Sequence, residues 1–172
     1  MTTGLDGKSQ GTHNSQPAAW RSAVGGRLAE IVREVNLRSW VAARVAPSEI
    51  AVCARFHTHT ARIRVRLAEA GLPVVRVKDG EPDGTAGVRV SSLHSLKGLE
   101  FRCVAVAGVT ASAFPFQKAV TPAEVVDPLQ HATDFASERC LLFVACTRAR
   151  EALYVSYSGR PSTFLCEQSQ RS

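Results

Sequence analysis

The chain has 172 residues, 45% of them apolar and 21% charged, which is room for one ordinary domain with a real core and not for two large ones. Its 21 Lys and Arg outnumber 15 Asp and Glu, and the net +6 favours a polyanionic partner such as nucleic acid or nucleotide without demanding one. No apolar run approaches the roughly 20 residues needed to span a bilayer, and the first residues lack a basic n-region followed by an apolar h-region, so the expected setting is the cytoplasm, with no membrane partner.

Residues 1–18 are Gly, Ser, Thr, Gln and Asn without periodicity and are expected to form a disordered polar leader. One domain is expected over 19–166, with 167–172 as a tail. Val24, Leu28, Ile31, Val32 and Val35 recur at helical spacing, with Glu30, Arg33 and Glu34 facing away, and this predicts an amphipathic helix to about Ala43, which Pro47 stops. EIAVCAR, Glu49 to Arg55, predicts a short strand. THTARIRVRLAEAG predicts a helix with Ile63 and Leu67 inward and Gly71 as its stop.

LPVVRV and GVRVSS read as two strands around the turn-rich KDGEPDGTA, and FRCVAVAGV as a strand covered on both faces, because nearly every position is apolar. After FPF, the Pro-punctuated stretch from about Gln117 to His131 is expected to be a surface loop. DFASERCLLFVACTRAREAL predicts a helix with Leu141, Leu142, Ala145 and Ala149 inward and Arg150 and Glu151 on its solvated face, and LYVSYS a last strand. Strand and helix alternating in this way argue for an α/β fold, a three-layer sandwich around a parallel sheet.

Several familiar chemistries fail at the level of spacing. TTGLDGKS ends like a phosphate loop, but Thr2 stands where the first glycine belongs and no strand precedes it. EVVDPLQ resembles an acidic strand end that holds magnesium, yet Pro128 replaces the second acid. His57 and His59, two apart and read as opposite faces of a strand, have no Cys or acidic partner at metal-ligand spacing, and no G-x-S-x-G elbow occurs. The five cysteines form no C-x-x-C pair, and four lie in apolar runs, as reduced structural thiols do.

Two segments match a known pattern in kind, order and context. SSLHSLKGLEF resembles motif V, and ERCLLFVACTRARE motif VI, of superfamily 1 DNA helicases of the UvrD, Rep and PcrA type. In that family T-x-H-x-x-K-G-L-E-F leads into an apolar strand, an F-P dipeptide, a variable loop and a helix reading E-R-R-L-L-Y-V-A-x-T-R-A. Here those parts are Ser92, His94, Lys97 to Phe101, RCVAVAGV, Phe114-Pro115, the loop, and Glu138 to Ala149. APSEIAVCARFHTHTARIRVRLAEAGLPV upstream and GRPSTFL downstream are similar to the family's I-A-V-L-x-R and P-S-x-F segments, so the resemblance covers about Ile50 to Leu165.

The resemblance implies the second RecA-like domain of an ATP-dependent motor, without the accessory domain that larger members insert between PVVRV and GVRVSS. It implies that Arg148 acts as an arginine finger on the γ-phosphate, a catalytic role for a permanently charged, forked guanidinium. It places Glu100 on the nucleotide ribose, with Gly98 and Lys97 beside it, and Ser92, His94, Arg55 and Phe116 on single-stranded or partly duplex DNA. Ser92 replaces the family's Thr and keeps the hydroxyl; Cys140 replaces a frequent second arginine. Arg139 pairs with Glu138 or a neighbour, and Thr147 back-bonds to its own helix, on a purely structural reading.

Within these 172 residues no Walker A loop and no magnesium-binding D-E pair accompany the two motifs. ATP with Mg²⁺ is therefore expected only when a Walker A-bearing N-terminal domain, in cis or in trans, completes the site, and the chain alone is expected to be inactive. The competing reading is a non-enzymatic module, descended from a helicase, that binds single-stranded DNA or a protein. A free-standing metabolic enzyme has little support.

Overall fold

The computed structural model describes residues 21–24, 37–78, 81–82, 86–122 and 127–166. The leader, the tail, the phosphate-loop lookalike and the middle of the first expected helix lie outside the described residues. In chain order the elements are β1 Arg21–Val24, α1 Leu37–Ala42, β2 Ile50–Ala54, α2 His57–Glu69, β3 Val74–Lys78 and β4 Glu81–Pro82. There follow β5 Val88–Ser92, β6 Phe101–Ala107, α3 Pro128–Cys146, β7 Ala149–Tyr157 and α4 Thr163–Cys166.

The strands form one sheet in the order β1-β7-β6-β2-β5-β3-β4, parallel throughout except for the short β3–β4 pair. Every position of β2 is buried, as an apolar run must be when helices cover both faces. Alternation then sorts the strand residues into two layers. Ile50, Val52 and Ala54 pack with Ile63 and Leu67 of α2 and Leu37 of α1, while Ala51 and Cys53 pack with Leu142 and Ala145 of α3. Between Phe101 and Cys103 the pairing with β7 shifts register, with one extra residue on β7, and these two residues of β6 lie in different layers.

The structure corrects the expected elements in four places. Arg21–Val24 is a strand against the outer edge of β7, so Val24 does not open a helix; among the described residues Leu37–Ala42 keeps the helical reading. The stretch taken as a surface loop contains a 3-10 turn at Gln117–Ala119 and the first turn of α3, which begins at Pro128 because the Asp127 carboxylate accepts from the amides of Leu129 and Gln130. Asp127 is thus a helix cap. At the other end α3 stops at Cys146, and Arg150 and Glu151 lie on β7 rather than on a helix face. His57 and His59 open α2 and are not on a strand.

The connection from β5 to β6 sets the position of the opening motif. These strands are parallel and separated by β2, and only residues 93–100 join them, where such crossovers usually take a dozen or more residues and a helix. The sequence manages this with leucines at 93, 96 and 99, the three-residue period of a 3-10 turn, which forms at His94–Leu96. Leu93 and Leu96 are fully buried and Leu99 partly, while His94, Lys97, Gly98 and Glu100 point outward.

Candidate functional site

The crossover starts at the C-terminal end of β5, level with Ala54 and Ala107, and finishes at the N-terminal end of β6, beside Ala149. It therefore distributes its polar residues between two opposite edges of the sheet, about 20 Å apart along the seven-residue β6. The residues singled out in the sequence divide accordingly. Ser92, His94, Arg55 and Phe116 belong to the C-terminal edge. Gly98, Glu100 and Arg148 belong to the N-terminal edge, with Lys97 on the approach to it.

At the C-terminal edge the pieces interlock. Arg55, just past β2, donates from Nη2 to Oε1 of Glu138 at 2.6 Å, and both side chains are nine-tenths buried. The amide of Phe116 donates to the other carboxylate oxygen at 3.1 Å. The Arg55 guanidinium lies 5.6 Å from the Phe116 ring centroid, and Phe56 meets Phe116 edge to face at 5.1 Å. His94 Nε2 stands 3.4 Å from Arg55 Nη1. Burial, then the Arg55 charge and His57, hold the His94 imidazole below its ordinary value, with Glu138 pulling the other way. The His59 imidazole is lowered too, by burial and by Arg62. Ser92 is buried, and its hydroxyl is 3.1 Å from that of Ser95.

The N-terminal edge is held more by backbone. The amide of Phe101 donates to the carbonyl of Arg148 at 2.9 Å, which sets the end of the crossover beside the turn from α3 into β7. The Arg148 guanidinium reaches three neutral oxygens: Nε donates to the Val144 carbonyl at 3.1 Å, and the two terminal nitrogens lie 3.5 Å from the Leu99 carbonyl and 3.4 Å from the Thr147 hydroxyl. Thr147 itself back-bonds to Val144 at 2.9 Å. Gly98 has φ +82°, with open space where a side chain would go, so the backbone there favours glycine by conformation and not by crowding. Lys97 and Glu100 are exposed.

Beyond these residues, Arg102 donates to Glu151 at 2.6 Å and lies 3.9 Å from Glu49, which Arg150 approaches at 3.8 Å. Sequence reasoning missed Glu138. The signal was present: Glu138 falls in phase with Leu142 and Ala145, and a carboxylate on a buried helical stripe needs a partner. That partner is Arg55; the Arg139 guanidinium lies 5.9 Å from the Phe164 ring centroid. Among the described residues no three His, Cys, Asp or Glu side chains gather as a metal site. Cys53, Cys103, Cys140 and Cys146 are free thiols, and burial pushes Cys146 up to about 11.

Three comparisons bear on this arrangement. The family described as UvrD-like helicase C-terminal domain matches residues 77–160. The ATP-dependent DNA helicase PcrA of Staphylococcus aureus is 35% identical over 89 residues, covering 48% of this chain and 11% of the relative. PcrA of Staphylococcus epidermidis is 36% identical over 98 residues, 51% of this chain and 12% of that protein. The chain thus spans about a ninth of the length of these relatives. A crystal structure of the C-terminal domain of a possible DNA helicase from Lactobacillus plantarum superposes with a TM-score of 0.62 at 20% identity, covering 89% of this chain and 82% of that one, a likeness of fold.

Proposed function

We propose, for a chain that is the C-terminal domain of a UvrD-like helicase, that the two edges of its sheet divide the work of an ATP-dependent DNA motor. The N-terminal edge serves the nucleotide and the C-terminal edge the strand. The observation that carries this reading is the junction of the two motifs, where the Phe101 amide and the Arg148 carbonyl pair at 2.9 Å and bring Glu100 and Arg148 to one edge, while His94 and Ser92 of the same segment stay at the other.

The side chains at the N-terminal edge suit ATP with Mg²⁺. All three hydrogen bonds of Arg148 go to neutral oxygens, so its full charge stays available to a γ-phosphoryl group. Glu100 is acceptor-only and fits a ribose hydroxyl, with Lys97 as a further cation and Gly98 giving the turn. When bound, the nucleotide supplies the phosphoanhydride bond whose hydrolysis drives the motor. These residues form one wall. The phosphate cradle belongs to a Walker A-bearing N-terminal domain, in cis or in trans.

His94 and Phe116 meet single-stranded or partly duplex DNA at the C-terminal edge, the ring by stacking on a base. Ser92 and Arg55 serve that edge from within. No helix among the described residues is long and apolar enough to cross a membrane, and a DNA substrate sets the work in the cytoplasm. The test takes the purified chain, with and without a separately produced first RecA-like domain, and measures oligonucleotide-dependent ATP turnover. Turnover is expected only in the mixture; robust turnover by the chain alone would sink the division of labour, and none in either would favour the non-enzymatic module.

A further inference from the structure

Each oxygen of the Glu138 carboxylate has its own partner, Arg55 on one and the Phe116 amide on the other. One buried group therefore ties α3 to the segment after β2 and to the segment after β6, joining residues 83 apart in the chain. The Arg55 charge is matched at 2.6 Å inside the fold, and its Nε atom is buried without a partner. Such a guanidinium offers little field to a phosphate outside. What it touches is the Phe116 ring and the His94 imidazole, two aromatic groups at this edge able to meet a base.

A buried ion pair is a poor source of net stability, since desolvating two charges consumes most of the Coulomb gain. What it delivers is fixed geometry. We infer that Glu138 is the positioning residue of the nucleic-acid edge: through Arg55 and the Phe116 amide it sets the Phe116 ring and the His94 imidazole at one spacing for the bases of a single strand, with Arg55 a strut and not a phosphate ligand. The inference rests on the DNA-motor reading, because it needs a strand at this edge.

The experiment titrates a labelled oligothymidylate with the full chain and with Glu138→Gln, Arg55→Met and their double variant across a salt series, while NMR follows the His94 imidazole. Each single variant is expected to bind roughly tenfold more weakly, as when one stacked base is lost, and the double variant no worse than either. The salt slope should stay unchanged, whereas losing a phosphate ligand would lower it by about 0.7. In Glu138→Gln the His94 midpoint should fall, since a negative neighbour is gone and Arg55 remains.

A shallower slope in Arg55→Met, additive losses, or full affinity in Glu138→Gln would overturn the assignment while leaving the motor reading intact. Should Glu138→Gln not fold, Glu138→Asp keeps the charge on a shorter arm; weaker binding supports the positioning role and full affinity overturns it. A wild-type chain that binds no oligonucleotide at any salt concentration sinks the motor reading, and this inference with it.

Discussion

The two edges of the sheet are built from the same short segment and yet are finished to different degrees. At the C-terminal edge Arg55, Glu138, Phe116 and His94 contact one another, and the ion pair at its centre is nine-tenths buried. At the N-terminal edge Glu100 and Lys97 are exposed, and Arg148 rests on neutral carbonyl and hydroxyl oxygens at distances up to 3.5 Å. A network centred on a buried ion pair holds its shape unaided; a row of charged groups with loose contacts has room for an opposing surface. Under the proposed function, the edge assigned to the strand draws its contacts from within this chain, and the edge assigned to the nucleotide is one face of a joint.

The sharpest way to break that comparison is Arg148→Ala in a motor completed by a first RecA-like domain. If Arg148 acts as proposed, turnover should fall by roughly 10³-fold or more, as when an arginine finger is removed, with oligonucleotide affinity unchanged. Equal losses in both assays would mean that the two edges are not separable. Next in size is Glu138→Ala, which strands a buried guanidinium and should cost about 3–5 kcal/mol in urea denaturation, whereas Arg148→Ala should cost under about 1 kcal/mol. A reversal of that order would make the N-terminal edge the structural one.

Gly98→Ala comes third. A side chain at φ +82° costs about 1–2 kcal/mol, although open space surrounds the position, so a loss of that size without a change in fold is expected. The smallest effect sharpens the comparison by pH. Because the folded-state value of His94 is lowered, the unfolded chain binds the proton more readily; the stability linked to His94 is complete above the ordinary value of 6.5 and is lost as pH falls through the lowered one. Wild type and His94→Gln should diverge over that window, and Arg55→Met, by removing the cation and releasing Glu138, should move the His94 midpoint up.

Much of the sheet was legible because strands covered on both faces must be apolar, as β2 is throughout and β6 is from Cys103 onward. The motif residues were legible as a dense polar group between two such runs. The end of α3 was not, since TRAREAL suits a helix by propensity and the chain leaves it where the Thr147 and Arg148 side chains take up the Val144 carbonyl and Phe101 pairs with Arg148. Nor was the partner of Glu138, because a contact across 83 residues leaves no local periodicity. Sequence placed Arg55 with the DNA ligands; it did not reveal that its charge is already matched inside the fold.

The crossover between β5 and β6 has a mechanical consequence. From Ser92 to Phe101 the chain must climb the length of β6 and step across β2, a separation of about 22 Å by strand rise and spacing. Nine peptide links with one 3-10 turn reach about 26 Å. Only about 4 Å of slack is left. With Leu93 and Leu96 wedged into the layer beneath, this segment behaves as a short tether, and a displacement of Glu100 beyond that slack has to be taken up at His94.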